Sequence, residues 1–204
     1  MTELLITFLT ASVLLTISPG PDIIYVLVQS MANGKKAGII TTLGLVSGIL
    51  IHTSLVAFGV SAIIKRSEDV FLAIKVFGAF YLFFLAYKVW KSGGEISVET
   101  GKTLRRANWA LFRQGFIMNV LNPKVTIFFL AFFPGFLWDP NADTVYQFYF
   151  LGFLFMLQAF LIFGTVALLA GKISSWLKYH PGFGVILKWT QIIVFIGIGI
   201  FILI

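Results

Sequence analysis

The chain has 204 residues, of which 59% are hydrophobic and 11% charged, with a net charge of +7, two histidines and no cysteine. A mean hydropathy of +0.98 excludes a soluble domain, whose core would need far more polar surface around it. Thiol redox, zinc–thiolate and iron–sulfur chemistry fall with the missing cysteines, and the basic residues lie between apolar runs rather than on a basic helix, which speaks for membrane orientation and against nucleic acid.

Six apolar segments follow in order, at about residues 4–31, 39–64, 70–90, 111–138, 146–170 and 183–204. The N-terminal Met1-Thr2-Glu3 lacks the basic region of a signal peptide, so the first segment is expected in the mature protein. That segment is interrupted by Ser18-Pro19-Gly20-Pro21-Asp22. Pro19 and Pro21 remove backbone N–H donors and clash with the carbonyls of Leu15 and Ile17, so the helix must stop and restart. The restart places a new helix end, freed carbonyls and the Asp22 carboxylate at membrane depth. Only surrounding protein or a water-filled cavity makes that tolerable.

The second segment carries Gly44, Gly48 and His52 at four-residue steps on one face. The glycines are a helix-packing device, and His52 is either a hydrogen-bonded packing residue or a proton carrier. Lys75 lies near the start of the third segment and is expected to snorkel to the interface. Residues 91–108, rich in Gly, Ser, Glu and Lys, form the longest connection and read as a linker between halves. The fourth segment is broken in its turn at Asn119-Val120-Leu121-Asn122-Pro123-Lys124. Pro123 frees the Asn119 carbonyl, and Asn122 suits the N-cap of the restarted helix. The Phe128, Phe129, Phe132, Phe133, Phe136 cluster covers most of a helix surface and reads mainly as lipid-facing or packing material. Residues 139–143 and 172–181 read as the last two connections, and Gly197 and Gly199 serve either a dimer or internal packing.

Superposing Pro21 on Pro123 pairs Gly20 with Asn122 and Asp22 with Lys124, and each break opens a set of three segments. Because three is odd, the second set runs opposite to the first. The expected fold is therefore an all-α polytopic membrane protein of six transmembrane helices, arranged as two inverted three-helix repeats (residues 1–90 and 109–204), with helices 1 and 4 broken at proline. Breaks at matching positions of inverted halves point to a transporter's midplane site. Lys35, Lys36, Lys88, Lys91, Lys102, Arg105, Arg106, Arg113, Lys172, Lys178 and Lys188 fall on one side, which the positive-inside rule assigns to the cytoplasm; both termini then face out.

Asp22 and Lys124, brought together, match a zwitterion: Lys124 meets the solute's carboxylate and Asp22 its ammonium. The alternative is a structural pair whose charges neutralise one another. Ser18, Gly20, Asn119 and Asn122 complete the expected substrate and proton site, with His52 as a coupling candidate. No metal site and no cofactor is expected. Three functions stay open: a secondary exporter, an intramembrane enzyme acting on a lipid, and a channel or structural subunit. The enzyme reading lacks paired carboxylates or a nucleophile–base set, and the channel reading lacks a filter motif.

Taken together, Ser18-Pro19-Gly20-Pro21-Asp22, the Gly44/Gly48/His52 face, Gly78-Ala79-Phe80-Tyr81-Leu82, the run from Gly115 through Asn119 to Asn122-Pro123-Lys124, and Phe132-Phe133-Pro134 resemble the LysE/RhtB superfamily of bacterial amino-acid exporters. The resemblance runs nearly end to end. Ala86 and Gly135 depart from it, standing where the family usually has glycine and glutamine. It implies an exporter in the bacterial cytoplasmic (inner) membrane that moves amino acids or their derivatives and is driven by the proton gradient. Its partners would be substrate, protons and lipid, with a homodimer compatible.

Overall fold

The computed structural model describes residues 1–60, 67–92, 107–139, 142–180 and 182–204. The described residues contain helices and no strand. In chain order the helices are α1 (Thr2–Ile17), α2 (Pro21–Asn33), α3 (Lys35–Ser54), α4 (Glu68–Lys91), α5 (Asn108–Val120), α6 (Pro123–Ile127), α7 (Thr144–Tyr179) and α8 (Phe183–Leu203). Four spans are long and apolar enough to cross a membrane: α3 with its continuation to Val60, α4, α7 and α8. The count rises to six when α1 with α2, and α5 with the segment from Pro123 to Phe136, are each taken as one span bent by 55° and 48°. The chain is an all-α membrane protein, and its two interrupted spans fall where the prolines required them.

Connections are short where local chemistry allows. The connection between the first two apolar segments shrinks to Gly34, whose φ of 86° turns α2 into α3 in one residue. Ser67 caps α4 by accepting from the Val70 N–H, and Asp143 caps α7 through the Tyr146 N–H. Lys188 Nζ donates to the Ser92 carbonyl at 2.6 Å, tying the end of α4 to the start of α8. The expected linker lies mostly outside the described residues, as do Lys65, Arg66, Pro140 and Asn141.

Burial ranks the helices. The α3 span is 56% buried against 22% for α4, so α3 is central, packed on α2, α5 and α7, while α4 pairs with α8 at the periphery. Glycine makes the central contact close. A Cβ on Gly44 would collide with the Phe112 carbonyl, and one on Gly115 with that of Thr41, so α3 and α5 meet backbone to backbone. Gly199 likewise receives the Phe83 ring of α4, whereas Gly197 has nothing within 4 Å; of the two, only Gly199 packs internally.

One expectation is corrected. Residues 172–179 are not a connection, because α7 runs 36 residues without a break. At ~1.5 Å per residue it is about 54 Å long, well beyond a hydrocarbon core of roughly 30 Å. Gly171 does not end it, since its carbonyl accepts from Ser175 Oγ at 2.9 Å, and Ser174 turns inward while Ser175 faces out. Of the two readings of the phenylalanine cluster, packing holds and lipid-facing does not. All five rings are at most 2% exposed. Beyond Ile127 the helix loosens into a π-helix (Phe128–Phe132) and tightens into a 3₁₀ turn (Phe133–Phe136), and this irregular stretch sits among α1, α3, α4, α7 and α8. Phe8 of α1 joins it edge-on, 5.1 Å from the Phe133 ring and 5.4 Å from Phe136.

Candidate functional site

The two breaks meet. Pro21 opens α2 and Pro123 opens α6, each at the first helical position, where a missing N–H costs nothing. Asn122 is the N-cap anticipated for α6: its Oδ1 accepts from the Lys124 N–H at 3.1 Å. The same amide reaches across to the other break, where Nδ2 donates to Asp22 Oδ2 at 2.9 Å. Lys124 returns the link, its ammonium donating to the Ser18 carbonyl at 3.0 Å. Thus each half holds the other's interruption.

Gly20 has an extended backbone that any residue tolerates, and a Cβ there would stand 3.6 Å from Lys124 Nζ, in ordinary contact with the ammonium. Ser18, Gly20, Asp22, Asn119, Asn122 and Lys124 line one cavity of about 30 Å³, closed on its other sides by apolar groups that include Ile49, Phe155 and Phe163. That volume leaves room for about one water molecule among its polar groups. Asp22 and Lys124 face the same space without a direct hydrogen bond. Asp22 Oδ2 is taken by Asn122 and Oδ1 has no hydrogen-bond partner. Asn119 Oδ1 and Ser18 Oγ are also buried and unpartnered, a costly condition for polar atoms at this depth unless a ligand or water meets them.

His52 stands one row back. It does not line the cavity; its Nε2–H donates at 3.1 Å to the Asn119 carbonyl, the one that Pro123 frees, and its ring lies 5.6 Å from Phe129. Its Nδ1 is buried without a partner. Gly48, one turn before it on α3, leaves room for the Asn119 side chain, which a Cβ would strike. The glycine–histidine face of α3 therefore seats the second break.

Thr16 also lines the cavity and was not anticipated. It accepts from Gln158 Nε2 at 2.9 Å and donates to the Ser12 carbonyl at 2.8 Å. The available signal was an amide alone in the middle of the most apolar stretch of α7, a position where polar side chains are expensive.

A family model described as LysE type translocator matches residues 13–204. The chain belongs to the LysE family. It is similar to the homoserine/homoserine lactone efflux protein of Salmonella typhimurium, at 31% identity over 172 residues, covering 84% of this chain and 82% of the relative. An uncharacterised membrane protein of Vibrio cholerae is 30% identical over 167 residues (81% and 80% covered), and YrhP of Bacillus subtilis, another uncharacterised membrane protein, is 28% identical over 204 residues (96% of each). No solved structure matches. As a LysE translocator with efflux relatives, the protein is a membrane exporter of a small molecule and not an enzyme.

The geometry makes Asn122 the joint of the LysE site. Asn122→Ala removes a cap worth about 1 kcal/mol and leaves a buried carboxylate oxygen unsatisfied at a cost of about 1–3 kcal/mol. Unfolding in detergent should register a loss of about 2–4 kcal/mol. Asn122→Ser, which keeps a capping oxygen, should recover only the smaller part, and wild-type stability in Asn122→Ala would contradict the bridging role.

Proposed function

We propose that this LysE protein is a secondary exporter that moves amino acids or related small zwitterions out of the bacterial cytoplasm across the inner membrane, coupled to the proton gradient. One observation carries this reading: a carboxylate and an ammonium, one from each interrupted span, face a single cavity where lipid would otherwise forbid both. The solute's ammonium pairs with Asp22 through the free Oδ1, and its carboxylate pairs with Lys124. Solute and proton alternate at Asp22, while the two halves, residues 1–90 and 109–204, rock as inverted repeats about the joined breaks. The relative named for homoserine and homoserine lactone supports a small amine-bearing solute.

Orientation follows the lysines. Lys35 and Lys36 at the α2–α3 turn, Lys88 and Lys91 at the end of α4 and Lys188 at the start of α8 belong to the cytoplasmic side, which leaves both termini outside. A second copy, should the protein dimerise, would meet the open Gly197 side of α8.

Counterflow in proteoliposomes with a panel of labelled amino acids tests the reading. Saturable exchange, accelerated by unlabelled solute on the far side, is the expected result. Flux that rises linearly with concentration would indicate a channel and overturn it.

A further inference from the structure

We infer that Ile23 sets how large a solute this protein carries, as the partition between the site cavity and an apolar groove that takes the solute's side chain. The inference rests on the zwitterion reading above and assigns its size selection to one residue. The cavity leaves room for about one water, so even a small amino acid overfills it, and the substituent on the α-carbon needs space elsewhere. Such space adjoins. A groove of about 190 Å³ lies between α2, α7 and α8, walled by Ile24 and Leu27, by Ile173 and Leu177, and by Leu187. Among the described residues, Ile23 alone stands on the walls of both spaces.

An isoleucine that served packing alone would have filled protein on each side, whereas Ile23 has unfilled space on each. It follows Asp22 directly in the first turn of α2, so the partition stands beside the carboxylate that holds the solute's ammonium. A β-branched side chain on a helix keeps largely one rotamer, which makes Ile23 a stiff wall whose size counts for more than its motion. On α7, Phe163 lines the cavity and Val166, three residues on, lines the groove, so one helix face runs from the first space into the second. The recess between α1 and α8 and that between α4 and α8 share no lining residue with the cavity. The groove also gives the length of α7 a use, since Ile173 and Leu177 belong to the stretch that continues past Gly171.

Straight-chain amino acids from alanine through norvaline to norleucine, exchanged in counterflow, form the probe series. Ile23→Ala should raise norleucine exchange relative to alanine by about tenfold, the low end of what a methylene is worth in an apolar pocket, and Ile23→Trp should lower it as much. Val166→Phe narrows the groove from α7 at a position outside the cavity wall and should lower the same ratio. A ratio unmoved by the Ile23 variants overturns the inference while leaving the exporter reading intact. So does a ratio that Val166→Phe leaves alone, the result expected if a lipid acyl chain fills the groove. A wild type that carries other amino acids but none of this series overturns it too, and absence of any amino-acid exchange overturns both readings. If the Ile23 variants do not fold, the cysteine-free chain offers another readout, because Ile23→Cys introduces its single thiol. Norleucine slowing N-ethylmaleimide alkylation of that thiol more than alanine does supports the assignment, and equal protection overturns it.

Discussion

Asp22→Asn is expected to reduce amino-acid counterflow by about tenfold while leaving the protein folded. Asparagine keeps the shape of the side chain, and its carbonyl oxygen still accepts from Asn122 Nδ2, so the joint between the breaks survives. What disappears is the charge presented to the cavity through Oδ1, which has no partner of its own. A hydrogen bond to a charged group contributes about 1.5–3 kcal/mol against about 1 kcal/mol for a neutral one, and at this depth the difference is realised in full. The measurement is counterflow by purified variant at matched incorporation, alongside unfolding in detergent. Exchange at the wild-type rate would remove Asp22 from the site. A loss of exchange matched by a loss of stability would make its role structural.

Lys124→Met is expected to divide the substrates. The Lys124 ammonium rests on the Ser18 carbonyl, with its remaining protons toward the cavity and the Phe195 ring 5.6 Å away. If it meets the solute's carboxylate, its removal should cost free amino acids about 100-fold. Homoserine lactone, which keeps the ammonium but has no free carboxylate, should lose only a few-fold. Both solutes falling together would mean that Lys124 supports the fold and not the ligand. The exchanged pair, Asp22→Lys with Lys124→Asp, serves as a control. Full transport by it would reduce the two residues to mutually neutralising charges, since a solute's poles would then be presented to the wrong ends.

Much of this arrangement was legible in the sequence because proline chemistry is local. Pro21 and Pro123 dictate a stop and restart wherever they occur, and Asn122 before Pro123 suits a cap in any solvent. Six of the seven residues expected at the site line one cavity, and the seventh, His52, supports it from behind through the Asn119 carbonyl. Less legible was which apolar surface faces protein. In water a buried face is apolar and an exposed one polar, but in a bilayer both are apolar, so Phe128 to Phe136 gave no sign that every ring is enclosed. The extent of α7 was hidden for a related reason. Lys172, Ser174 and Ser175 lower the hydropathy of a stretch whose helical hydrogen bonds continue unbroken. Gln158 escaped attention because a neutral amide stands out less than a charge in an apolar run.

A cavity with room for about one water, bordered by Ile49, Phe155 and Phe163, is too small to hold an ion with its hydration shell. Under the proposed exporter mechanism, a cavity of this size in the resting conformation leaves no room for a stream of hydrated ions, so an idle copy would not discharge the membrane.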